Sequence, residues 1–177
     1  DLQSFINKNG YGKVISFAID KYIYSFAKIH SDIFEKKYRL NYHETENTNE
    51  VNDIKNNIVR NSLKFHKFKD PFYIATISDV PSGTGLGSSG AFQVSMCNIL
   101  NSILKKKTHP LLLATQATHV EINLSKSSAG FQDQFATAFG GFNEFVFSKN
   151  SKPIIKKLQK KNQNKFIHQL IKNSLLI

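Results

Sequence analysis

Residues 81–89 read PSGTGLGSS and set three glycines at alternate positions, Gly83, Gly85 and Gly87, ahead of a hydroxyl pair, Ser88 and Ser89. Glycine lets backbone N–H groups approach an anion without a Cβ in the way, and a strand–glycine loop–helix arrangement is suited to holding phosphate. The helix N-terminus adds roughly half a positive charge. Ser88 or Ser89 can offer a hydroxyl to a phosphate or to a magnesium ion. The segment lacks the Lys-[Ser/Thr] ending of a Walker A loop and the G-x-G-x-x-G spacing of a dinucleotide loop. Two acids belong with it if phosphate is transferred. Glu121 can complete an oxygen-rich magnesium site beside nucleotide phosphates; taken alone, it reads more readily as a solvated helix residue. Asp133, in the stretch GFQDQ at 130–134, is the only acid between Glu121 and Glu144. It can take a proton from a hydroxyl nucleophile; taken alone, it reads as a charge favoured at a helix N-terminus. Cradle, metal ligand and base together make a phosphoryl-transfer set.

These groups need elements to position them. Residues 72–78 carry β-branched and aromatic residues, which predicts a strand leading into the loop. Ser88 and Ser89 suit an N-cap, and the helix they open is expected to run to about Leu104, with Lys105, Lys106 and Lys107 at its C-terminal end. A second helix is expected over 109–124, with Pro110 in its first turn. A small-residue loop over 125–130 then leads to a short helix over 132–139, stopped by Gly140 and Gly141. Upstream, 13–20 and 21–29 alternate apolar and polar residues and predict two strands or one long bent one. A short strand follows at 38–43, then an Asn-rich polar loop at 44–53. Helical spacing over 51–68 predicts an amphipathic helix. Strands are expected at 142–147 and 152–159, a helix at 162–173, and the start of a strand at 174–177.

The chain has 177 residues, enough for one domain with a proper core. No apolar run approaches the ~20 residues that span a bilayer. Cys97 is the single cysteine, so no disulfide can form within the chain. It is either a reactive thiol or, more simply, a buried small hydrophobe. With no signal peptide visible, a cytoplasmic location is expected. The net charge of +11 raises the question of nucleic acid. It is nearly all lysine, with Arg39 and Arg60 the only arginines, whereas base readout leans on the arginine fork. A solvated lysine face is the expectation, with no nucleic-acid and no membrane partner. His119 reads as structural.

At this point the residues resemble the GHMP kinases, the superfamily of galactokinase, homoserine kinase, mevalonate kinase and phosphomevalonate kinase. Their second motif has the form P-x-x-x-G-L-G-S-S, which residues 81–89 fit at every fixed position. Within the superfamily the chain is similar to the D-glycero-D-manno-heptose 7-phosphate kinases, on VISFAIDKYIY at 14–24, HVEI at 119–122 and QDQFATAFGG at 132–141. The resemblance implies an α+β fold, that of the GHMP kinase N-terminal domain (ribosomal protein S5 domain 2-like), truncated at both ends. It implies an ATP-binding domain over 1–150 and the start of a C-terminal GHMP domain over 151–177.

The same resemblance implies roles. Pro81, Gly83, Thr84, Gly85, Leu86, Gly87, Ser88 and Ser89 would wrap the phosphates of ATP. Ser89 and Glu121 would correspond to the magnesium ligands, and Asp133 to the catalytic aspartate beside the sugar hydroxyl. Asp1 would be a sugar ligand left over from a first motif ending in Thr-Asp-Leu. The implied reaction is ATP- and Mg2+-dependent phosphorylation of heptose 7-phosphate at O1, feeding nucleotide-activated heptose into surface polysaccharide. Alternatives are another sugar kinase of fucose or galactose type, or a binding module without catalysis; the oligomeric state is left open. Two positions depart from the family pattern. Phe131 stands where a polar or basic residue is commoner, which counts against a substrate-phosphate contact there. Gly90 stands where Ser or Ala is commoner, and weakens helix propensity slightly.

Overall fold

A computed structural model describes residues 2–31, 33–127, 129–149 and 151–158, together with Gln169 and Lys172. The strand β5, Phe72–Ser78, leads into the glycine loop, and its sequence explains its place. Phe72 and Ile74 are buried while Tyr73 and Ala75 are partly exposed, the alternation of a strand with one face on a core. It pairs antiparallel with β2, Ile23–Ile29, and parallel with β3, Tyr38–Asn41. β3 pairs antiparallel with β4, Thr45–Thr48, giving the order β2-β5-β3-β4. A second, antiparallel sheet has the order β1-β6-β7, from β1, Tyr11–Phe17, β6, Phe142–Ser148, and β7, Ser151–Lys157.

Five helices accompany the sheets among the described residues: α1, Gln3–Asn9; α2, Asn57–His66; α3, Ser88–Ile103; α4, Pro110–His119; and α5, Gln132–Phe139. α3 is the hub, touching α2, α4, α5 and β2. Its buried residues include Phe92, Val94, Met96, Cys97 and Leu100, as expected of a helix covered on several sides. One core joins Tyr38, Leu40, Phe72 and Ile74 of the first sheet to Val59 and Leu63 of α2 and to Phe92, Met96 and Leu100 of α3. A second joins Ile6, Ala114 and Phe135 to Phe145 and Phe147 of β6. The α+β class expected from the sequence is the one found. No described helix is long and apolar enough to cross a membrane.

Several elements differ from the sequence expectation. The polar stretch 44–53 is not a loop: it holds β4 and a 3-10 turn over Val51–Asp53. Its inward side chain, Glu46, accepts hydrogen bonds from the Tyr42 hydroxyl at 2.7 Å and from the Lys55 and Asn56 amides at 2.6 and 3.0 Å. A polar strand is stable here because its one buried carboxylate is fully partnered. The helix expected over 51–68 is shorter, because Asn56 caps α2 by accepting from the Val59 amide at 3.1 Å. Ser88 and Ser89 are not caps. Gly87 occupies the N-cap in the left-handed region, at φ 75°, and the serines are the first two helical residues. The segments 13–20 and 21–29 form two strands in different sheets. The helix expected over 109–124 is α4 followed by a π-helical turn over Val120–Leu124. The sequence reading contains no counterpart of α1. The helix at 162–173 and the strand at 174–177 fall almost wholly outside the described residues.

Candidate active site

The loop over 81–89 leaves the end of β5 and enters α3. Gly83, Gly85 and Gly87 all have positive φ, at 81°, 72° and 75°, so the alternate spacing is a backbone requirement: each occupies a region that residues with a Cβ seldom adopt. Around Gly83 and Gly85 a Cβ would meet nothing within 4 Å, so the backbone there faces open space. Locally the loop is braced by Ser78, whose hydroxyl donates to the Val80 carbonyl at 2.7 Å, and by Thr84, whose hydroxyl donates to the Pro81 carbonyl at 3.3 Å.

Asp133 lies in the first turn of α5 and packs against the start of α3. A Cβ placed on Gly87 would stand 3.3 Å from the Asp133 Cγ and 3.5 Å from its Oδ2. The carboxylate is therefore set directly on the glycine loop, 46 residues away in sequence. Aromatic packing from behind holds α5 in this pose. Phe135 is buried, with its ring 5.0 Å from Phe147 and 5.8 Å from Phe145. Phe131 stacks on Phe147 at 5.1 Å. Phe131 thus anchors the helix to β6 where the family pattern has a polar side chain.

Glu121 sits on the π-helical turn, a local widening that recurs at functional sites. The Ser125 hydroxyl closes this turn by donating to the Val120 carbonyl at 3.1 Å, and accepts from the Asn61 amide at 2.8 Å. The buried Gln134 side chain donates through Nε2 to Glu121 Oε2. Burial pushes the Glu121 carboxyl above the usual carboxylate range, against the Gln134 hydrogen bond, and the neighbouring Asp133 charge adds to the rise. Asp133, open to water on one side and packed on the glycines on the other, is raised by burial too. The two carboxylates therefore share one electrostatic neighbourhood.

The structure brings Asp133 onto the loop at Gly87 and into the field of Glu121. Asp1 lies outside the described residues. Gln134 and the π-turn were missed; the stretch QDQ was legible, but nothing in it tells which face of α5 meets Glu121. A cleft of about 440 Å³, lined by His30, Phe34, Lys37 and Lys69 among others, lies at the other end of β5. A seven-residue strand separates it from the loop by about 20 Å. Cys97 is buried, and burial pushes its thiol up to about 12; the buried-hydrophobe reading holds. Among the described residues no cluster of three His, Cys, Asp or Glu side chains could hold a metal unaided. A magnesium ion that keeps its waters and takes phosphate oxygens needs only one or two protein ligands. Ser89 and Glu121 supply donors of that kind.

Residues 54–141 match the family described as GHMP kinases N terminal domain. The chain carries a GHMP kinase N-terminal domain over those residues. Its relatives include sugar kinases, and the similar solved structures include mevalonate kinases as well. It is 36% identical over 109 residues to a D-glycero-alpha-D-manno-heptose 7-phosphate kinase of Campylobacter jejuni subsp. jejuni serotype O:2, covering 62% of this chain and 31% of that protein. It is 28% identical over 147 residues to a galactokinase of Pyrococcus furiosus, covering 77% of this chain and 41% of that protein. The crystal structure of a D-glycero-D-manno-heptose 1-phosphate kinase from Bacteroides thetaiotaomicron superposes with a TM-score of 0.73 at 23% identity, covering 86% of this chain and 53% of that one. The chain thus spans less than half the length of the curated relatives it matches.

Proposed function

We propose that this chain carries the nucleotide-binding domain of an ATP-dependent sugar kinase. Its substrate in this reading is a sugar phosphate, D-glycero-D-manno-heptose 7-phosphate, phosphorylated at O1 to give the 1,7-bisphosphate. The observation that carries the reading is Asp133 packed on Gly87, which sets a carboxylate at the mouth of a glycine loop. Residues 81–89 wrap the ATP phosphates, with the glycine backbone and the α3 N-terminus offering N–H groups. Ser89 and Glu121 would hold a magnesium ion, which would neutralise charge on the phosphates. Asp133 takes the proton of the sugar hydroxyl as that oxygen attacks the γ-phosphorus and the bond from the γ-phosphorus to the β–γ bridging oxygen breaks to release ADP; its raised pKa suits it to accept the proton. Asp1 contacts the sugar. A boundary between residues 150 and 151 does not hold: β7, Ser151–Lys157, pairs with β6 in the sheet that contains β1, so the ATP-binding domain takes in β7.

The heptose assignment is supported by the 36% identity to the Campylobacter jejuni heptose 7-phosphate kinase. A galactose-type substrate is the second reading, because the match to the Pyrococcus furiosus galactokinase covers more of this chain. ADP release by the full-length protein separates them. Turnover on heptose 7-phosphate is expected; turnover on galactose or mevalonate with none on the heptose would sink the substrate assignment.

A further inference from the structure

Gly90 follows the serine pair, inside the first turn of α3, and is buried. Glycine is the poorest helix former after proline, so helix stability does not explain its presence. Its surroundings do. A Cβ built on Gly90 would lie 2.7 Å from the Asp133 Cβ, 3.2 Å from the Asp133 carbonyl carbon and 3.3 Å from the Gln134 nitrogen. The first distance is far inside van der Waals contact. The other two are to backbone atoms, which no rotamer change can move. α5 is not free to retreat, because Phe135 is buried against Phe145 and Phe147 and Gln134 is tied to Glu121. Interiors packed to this density pass such a displacement on to their neighbours.

We propose that Gly90 is a positioning residue for phosphoryl transfer. By lacking a Cβ it lets the first turn of α5 seat on α3, and so sets the distance between Asp133 and the glycine loop. The proposal rests on the reading of Asp133 as the base. Adding one methyl, in Gly90→Ala, moves the Asp133 segment off the loop while leaving the loop's own glycines in place. Helix propensity alone predicts the opposite for stability, since alanine favours the helix.

The test uses the full-length protein with ATP, magnesium and heptose 7-phosphate, comparing wild type, Gly90→Ala and Asp133→Asn. For Gly90→Ala the expected result is a kcat at least about tenfold lower, with KM for ATP within about twofold and a lowered thermal midpoint. A kcat within about twofold of wild type overturns the proposal. So does a loss in kcat accompanied by an equal or larger rise in KM for ATP, which would put the damage in the loop itself. Should Gly90→Ala fail to fold, a crystal structure of the wild-type full-length protein decides. Room for a Cβ between Gly90 and Asp133 overturns the proposal, and direct contact upholds it. Full activity in Asp133→Asn overturns the reading of the base. An inactive Asp133→Asn beside an unimpaired Gly90→Ala overturns the positioning role alone.

Discussion

The Asp133 carboxyl is held above its ordinary range by partial burial, with Glu121 raised beside it. For a carboxyl raised on folding, protonation favours the folded state. Stability from this group is therefore largest at low pH and declines as pH rises from the unfolded pKa through the folded one. When both are ionised the pair is a stability cost, which the proposed catalytic role accounts for. Asp133→Asn removes one partly desolvated charge and should raise the thermal midpoint while lowering kcat by about a hundredfold or more. Calorimetry beside steady-state kinetics checks both halves. The acid limb of the kcat–pH profile is expected above the usual aspartate range, because the base must lose its proton to work. A limb at or below that range would argue against Asp133 as the titrating group.

At the scale of elements, the device that stands out is Glu46 on β4. Burial alone would raise its carboxyl; the Tyr42 hydroxyl and the Lys55 and Asn56 amides outweigh this and hold it below the usual range. Its contribution is present above the unfolded pKa and is lost as pH falls through the folded one. Glu46→Ala leaves partly buried donors unpaired at the entry to α2 and should cost about 1–2 kcal/mol in urea unfolding. That loss should shrink at pH values acidic enough to protonate the wild-type carboxyl. The same residue shows why β4 was not legible in sequence. TENT has no hydrophobic period, and the burial of its Glu46 depends on partners at Tyr42 and at Lys55 and Asn56, just before α2. The strand over 72–78 and the helix over 132–139 were legible because their apolar residues repeat at the period of the element and glycine or a turn bounds them. The π-turn after α4 was not, since the sequence there continues a helical pattern.

Across the whole molecule, α3 ties the two cores together, with Cys97 buried between it and α4. Because burial pushes that thiol up to about 12, a thiol reagent should modify Cys97 only through unfolding. The labelling rate should follow the global unfolding transition across a urea series. Labelling that is fast in native buffer would mean that α3 and α4 open locally. The sequence alone determined the glycine loop, because PSGTGLGSS carries glycines at the three positions whose backbone is left-handed. It also pointed to the proposed phosphoryl transfer, because the loop is followed by two isolated acids. Only the tertiary structure decided that these acids meet. Local propensity carries no information on how α5 is rotated about its axis. Burial of Phe135 against β6, the Gln134 bond to Glu121 and the missing Cβ of Gly90 settle that rotation together. Each is a contact between residues far apart in the chain, which packing creates and sequence spacing does not reveal.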